Sequence, residues 1–126
     1  MKFYLSLIIT FILILCFGFF IIGSLTQSAE NITNNFAEIS DAINEEDWPK
    51  AEEQFTSVKE EWTQYKKWWA MIIDHHEIDN IDISFSRVDE YINHQNPALA
   101  AGELSVLEQY LKHIPETEKI SWKNIF

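Results

Sequence analysis

From Phe3 to Ala29 the chain carries no charged side chain, and nearly every position from Phe3 to Gly23 is large and apolar (FYLSLIITFILILCFGFFIIG). As a helix rising about 1.5 Å per residue, such a run crosses a hydrocarbon core about 30 Å thick. It constrains the rest of the chain more than any other feature, because whatever follows must fold beside one face of a membrane. Lys2 and the amino terminus precede the run, Glu30 is the first charge after it, and acids dominate from there. Positive charge is retained on the cytoplasmic side. The expected topology is a single-pass anchor over residues 1–27, with residues 3–25 in the bilayer of the cell membrane. The N-terminus is then cytoplasmic and residues 30–126 are extracytoplasmic. A cleaved signal peptide is the rival reading. Secretory apolar cores usually span about 7–15 residues and end at small side chains, whereas this run is longer and Thr26-Gln27-Ser28 is a poor cleavage site.

The part beyond the anchor is large enough for one small domain. It holds all 20 acids and every basic residue except Lys2, so a chain charge of −11 becomes −12 for the domain. Such a domain does not bind nucleic acid or an anionic lipid surface unaided. Five Trp, four Tyr and ordered apolar stripes exclude disorder. Cys16 is the single cysteine and lies inside the apolar run, which leaves no internal disulfide and no CxxC motif.

Strand-like alternation is absent, and four helical stripes with apolar residues three and four apart stand out. They run through Ile32, Phe36, Ile39 and Ile43; through Trp48, Phe55, Val58, Trp62, Trp69 and Ile72; through Ile78, Ile81, Phe85, Val88 and Ile92; and through Ala100, Leu104, Leu107, Leu111 and Ile114. Asp47 before Trp48-Pro49 and Asn96 before Pro97 are helix caps with proline in the first turn. Pro115 is the expected stop of the last helix. The stripes also repeat at an offset of 49: Asn31, Ile32, Phe36, Ile43, Asn44 and Ala51 recur as Asn80, Ile81, Phe85, Ile92, Asn93 and Ala100, and the cap Asp47 recurs as Asn96. The fold class is therefore all-α: a transmembrane helix followed by a four-helix bundle over residues 28–114, made of two repeated helical hairpins like tetratricopeptide pairs. Residues 115–126 form a tail whose Trp122 and Phe126 dock in a groove of the domain or of a partner.

The densest chemistry lies between Asp74 and Asp82. On a helix His75, Asp79 and Asp82 share one face, and with His76 and Glu77 they form a candidate site for a divalent metal such as zinc. The structural alternative is that Asp74 and Glu77 make a capping box and that His76 packs at a corner. No nucleophile elbow, phosphate loop, HExxH or paired-cysteine motif is present, and neither catalysis nor a bound cofactor is expected. The aromatic run offers a second candidate. Trp62, Tyr65 and Trp69 follow the core stripe, whereas Trp68 lies off it beside Lys66 and Lys67. Trp68, Trp69, Trp122 and Phe126 make up the candidate partner-binding surface.

Several of these segments together carry a family resemblance: the short anchor, Trp68-Trp69 to His75-His76-Glu77-Ile78-Asp79, the Ile81–Ile92 helix, the Ala100–Leu107 helix and the Asn124-Ile125-Phe126 ending. On these residues the chain resembles small membrane-anchored bacterial proteins of domain-of-unknown-function family 4363. The resemblance implies a low-GC Gram-positive source, often a spore former, and a gene neighbour in the multi-spanning membrane family of unknown function 421. It brings no activity. The resulting expectation is an interaction domain, an accessory subunit of a larger membrane protein, with divalent-metal binding as the alternative.

Overall fold

The computed structural model describes residues 1–125. The described chain is all-helical: α1 (Lys2–Thr33), α2 (Phe36–Asn44), α3 (Trp48–Ile72), α4 (His75–Asn93) and α5 (Pro97–Ile125). Among the described residues, one helix near the N-terminus is long and apolar enough to cross a membrane.

That helix does not end where the apolar run ends. α1 passes residues 27 and 28 without a break, so the apolar run and the start of the domain lie in one helix. Its first part exposes Phe3, Leu7, Ile8, Leu13 and Phe17, while its second part buries Ile22, Leu25, Ala29 and Ile32. The first helical stripe is therefore divided. Ile32 belongs to α1, and Phe36, Ile39 and Ile43 belong to the short α2. The break falls at Asn34-Asn35, where Asn35 adopts φ −98°, ψ 5°, the sparsely allowed region in which turns leave the helix.

The remaining starts follow the capping chemistry. Asp47 Oδ1 accepts from Lys50 N (3.4 Å), Asp74 Oδ1 from His76 N (2.8 Å) and Asn96 Oδ1 from Leu99 N (3.1 Å). Each cap satisfies one of the backbone donors that a helix start leaves unpaired.

The turns after α2 and α4 have the same geometry at the same offset of 49 residues. Glu46 has φ 57° and Gln95 has φ 55°. Glu46 N donates to Ile43 O and Gln95 N to Ile92 O, both at 3.0 Å. Asp47 N donates to Ala42 O (2.9 Å) and Asn96 N to Tyr91 O (3.0 Å). A left-handed residue closing these two bonds is the Schellman ending of a helix.

α5 departs from expectation. Pro115 lies inside it and is buried beside Ile114, and the helix continues to Ile125. A proline removes one helical bond and crowds the preceding turn, yet burial of Ile114 and Pro115 and the packing of Trp122 beyond them hold the helix together. Thr117 Oγ1 donates back to His113 O (3.1 Å) next to the interruption. Residues 115–125 are thus the end of a helix rather than a separate tail, and Phe126 lies outside the described residues.

α5 packs against α1, α2 and α4, and α3 packs against α1, α2 and α4. The core runs from Leu25 and Ile32 through Phe55, Trp62 and Trp69 to Phe85, Leu107 and Leu111. α1 is therefore a full member of the bundle.

Candidate functional site

The Asp74–Asp82 stretch forms the start of α4. Asp74 caps it, and its carbonyl accepts from Glu77 N (3.0 Å) and Ile78 N (3.2 Å). His75, His76, Glu77 and Asp79 are exposed on this first turn, so His76 is not the packed corner residue its place on the stripe suggested. Asp82 has another task. One carboxylate oxygen accepts from Trp62 Nε1 (2.8 Å) and the other pairs with Lys66, both on α3. Seven positions away on each helix, Lys59 pairs with Asp89, so two ion pairs set the register of α3 against α4. Among the described residues, no group of three or more His, Cys, Asp or Glu side chains is placed to hold a metal ion. The shared helical face of His75, Asp79 and Asp82 does not become a converging donor set, because Asp82 turns toward α3.

The aromatic candidates separate in the same way. Trp69 is fully buried, stands edge-on to Trp62 (centroids 5.5 Å apart, 83° between planes) and donates from Nε1 to Ser28 Oγ (2.8 Å). It is therefore unavailable as a partner-binding residue. Its indole N–H needs a buried acceptor, and α1 supplies one. Ser28 Oγ in turn donates to Leu25 O (2.9 Å), and Asn31 Nδ2 donates to Tyr65 OH (3.1 Å). Together these contacts tie α1 to α3 at the point where the apolar run gives way to polar residues. Trp68 is half-buried against the core, and its indole nitrogen is buried without a hydrogen-bond partner.

Trp122 lies at the other junction. Its ring packs over Gly18 of α1 so closely that a Cβ there would stand 2.4 Å from the ring. Here glycine is required by the close approach, not by its backbone angles. Leu15, Phe19 and Ile22 of α1 and Lys119, Trp122 and Lys123 of α5 line a groove of about 500 Å³ at this contact. Sequence reasoning named Trp122 but missed Gly18, Lys119 and Lys123. A tryptophan flanked by lysines is the available signal, since that combination is favoured where protein meets a membrane–water boundary.

A family model described as Domain of unknown function (DUF4363) matches residues 19–125. The chain belongs to this family. The match begins within α1, at the contact with Trp122, and takes in the whole bundle. No curated protein matches the DUF4363 chain, and no solved structure does.

Proposed function

We propose that this DUF4363 protein is a single-pass membrane protein that holds an acidic helical interaction domain against the extracytoplasmic face and serves as an accessory subunit of a larger membrane protein. The carrying observation is the division of α1. Its first part turns apolar side chains outward on all sides, from Phe3 (72% exposed) to Ile14 (47% exposed), while its second part is core. A helix apolar all round belongs in lipid or among other membrane helices. Lys2 before the run and the acids after it orient the N-terminus to the cytoplasm.

The matched turns at Glu46 and Gln95 support reading α2–α3 and α4–α5 as a duplicated helical hairpin of tetratricopeptide-like type. Such pairs commonly present surfaces to peptides or helices. In this reading the domain binds rather than catalyses. Half-buried Trp68 is the residue of the original partner-binding set left open to a partner, since Trp69 is enclosed and Trp122 packs on α1. The multi-spanning membrane family of unknown function 421 is the first partner to test.

The test is to crosslink tagged full-length protein in its native membrane and identify co-purifying proteins by mass spectrometry. One stoichiometric membrane protein is the expected result, with its yield reduced by Trp68→Ala. Recovery of the chain alone, from membranes in which it is intact, would overturn the reading.

A further inference from the structure

The end of α5 runs beside the apolar half of α1, and this brings two cations to the wall of an apolar groove. Lys119 and Lys123 lie one helical turn apart on either side of Trp122, and Leu15, Phe19 and Ile22 form the opposite wall. Neither lysine is ion-paired among the described residues, although the domain carries 20 acids. Against the overall charge of −11, an apolar groove ending in two uncommitted ammonium groups is a local match to an amphiphile with an anionic head.

The level of the groove identifies the class of ligand. Trp122 meets α1 at Gly18, and Gly23 ends the uninterrupted apolar run. Five residues of helix separate them, about 7.5 Å, so the Trp122 contact lies just inside the domain-side edge of the hydrocarbon. A tryptophan at that depth, with long cationic side chains reaching toward the headgroups, is the arrangement that membrane boundaries favour. Ile120 and Ile125 are exposed on the same end of α5, as expected of a segment that meets acyl chains as well as water.

We propose that this groove binds one anionic phospholipid from the leaflet on the domain side. An acyl chain lies along Leu15, Phe19 and Ile22, and the phosphate sits between the Lys119 and Lys123 ammonium groups. The bound lipid completes the seat of α5 on the anchor. The inference rests on the membrane-spanning reading of α1 given above.

The experiment uses the full chain. It is purified in mild detergent and offered equal amounts of phosphatidylglycerol and phosphatidylcholine with identical acyl chains, and retained lipid is counted by native mass spectrometry. Flotation of the same preparations with vesicles reads the anchor separately. One phosphatidylglycerol per chain is expected, preferred about 25-fold over phosphatidylcholine, each lysine near an anionic headgroup contributing about fivefold. Lys119→Gln with Lys123→Gln should remove the preference, while Lys50→Gln with Lys112→Gln leaves it. Trp122→Ala should lower retention of both lipids. A chain that floats but retains the two lipids equally, or whose preference survives Lys119→Gln with Lys123→Gln, overturns the lipid site and leaves the anchor standing. Displacement of lipid by a co-purifying protein helix also overturns it. A chain that fails to float removes the anchor reading and the lipid site together.

Discussion

Ser28 and Asp82 are small polar residues, and each satisfies a tryptophan from another helix. Ser28 accepts from the buried Trp69 indole N–H, and Asp82 accepts from that of Trp62. Ser28→Ala leaves a buried donor without a partner, so it should lower stability by about 1–3 kcal/mol. Adding Trp69→Phe removes the stranded N–H, and the double variant should lose less than the sum of the two single changes. Denaturant unfolding of full-length protein in mild detergent measures both. For Asp82 the contrast lies between substitutions. Asp82→Asn keeps an acceptor for Trp62 and loses only a half-exposed ion pair with Lys66, costing under about 1 kcal/mol. Asp82→Ala loses both and should cost about 1–3 kcal/mol. Equal losses would mean that the ion pair, and not the Trp62 bond, fixes Asp82. These residues also mark where the sequence stops being legible. The stripe that places Trp62 and Trp69 in the core is visible by counting. The direction of Asp82 is not, because it depends on the register of α3 against α4, and so a helix clip reads as a candidate metal ligand.

At the scale of elements, the starts of α3, α4 and α5 were legible, whereas the start of α2 and the continuation of α5 were not. Asp47, Asp74 and Asn96 cap by local hydrogen bonds that nearby sequence determines. Pro115 has a strong local preference to end a helix, but burial of Ile114 and Pro115 and the contact of Trp122 with Gly18 carry α5 past it. Those contacts are with a helix roughly a hundred residues away in the chain, beyond any local pattern. Likewise the repeat at an offset of 49 was visible in side chains, whereas the matched left-handed residues were not, because Glu46 and Gln95 are not the glycine or asparagine that usually marks such a position. That substitution makes a prediction. A left-handed conformation is unfavourable for a residue with a Cβ, so Glu46→Gly and Gln95→Gly should each stabilise the protein by about 0.5–1 kcal/mol. The turns are separate, so the two gains should add in thermal unfolding. A loss at either position would show that its side chain makes a contact worth more than the relieved strain.

For the whole molecule, the governing fact is that the helix long and apolar enough to cross a membrane is also part of the core. An apolar run of this length announces a membrane segment, and the natural inference is a domain that begins after it. Leu25 and Ile32 are nevertheless fully buried, and Ser28 holds the Trp69 indole. Ile22, Leu25 and Ile32 are the large buried aliphatic side chains of α1, and each contributes about 1.5–3 kcal/mol. Losing the α1 contribution therefore approaches the 5–15 kcal/mol that holds a typical domain together. A fragment of residues 34–126 should consequently lose fixed tertiary structure while keeping helix content. One of residues 20–126, which keeps Leu25 to Ile32, should retain it. Near-ultraviolet circular dichroism of the tryptophans distinguishes the two, because Trp62 and Trp69 give a signal only when their rings are held rigidly. If the shorter fragment keeps that signal and unfolds cooperatively, α1 is a tether and its buried face is incidental. If it loses the signal, removal of α1 as far as Thr33 destroys the fixed packing of the domain. The length and apolarity of the run would then be matched by a second, independent reason for it to stay attached.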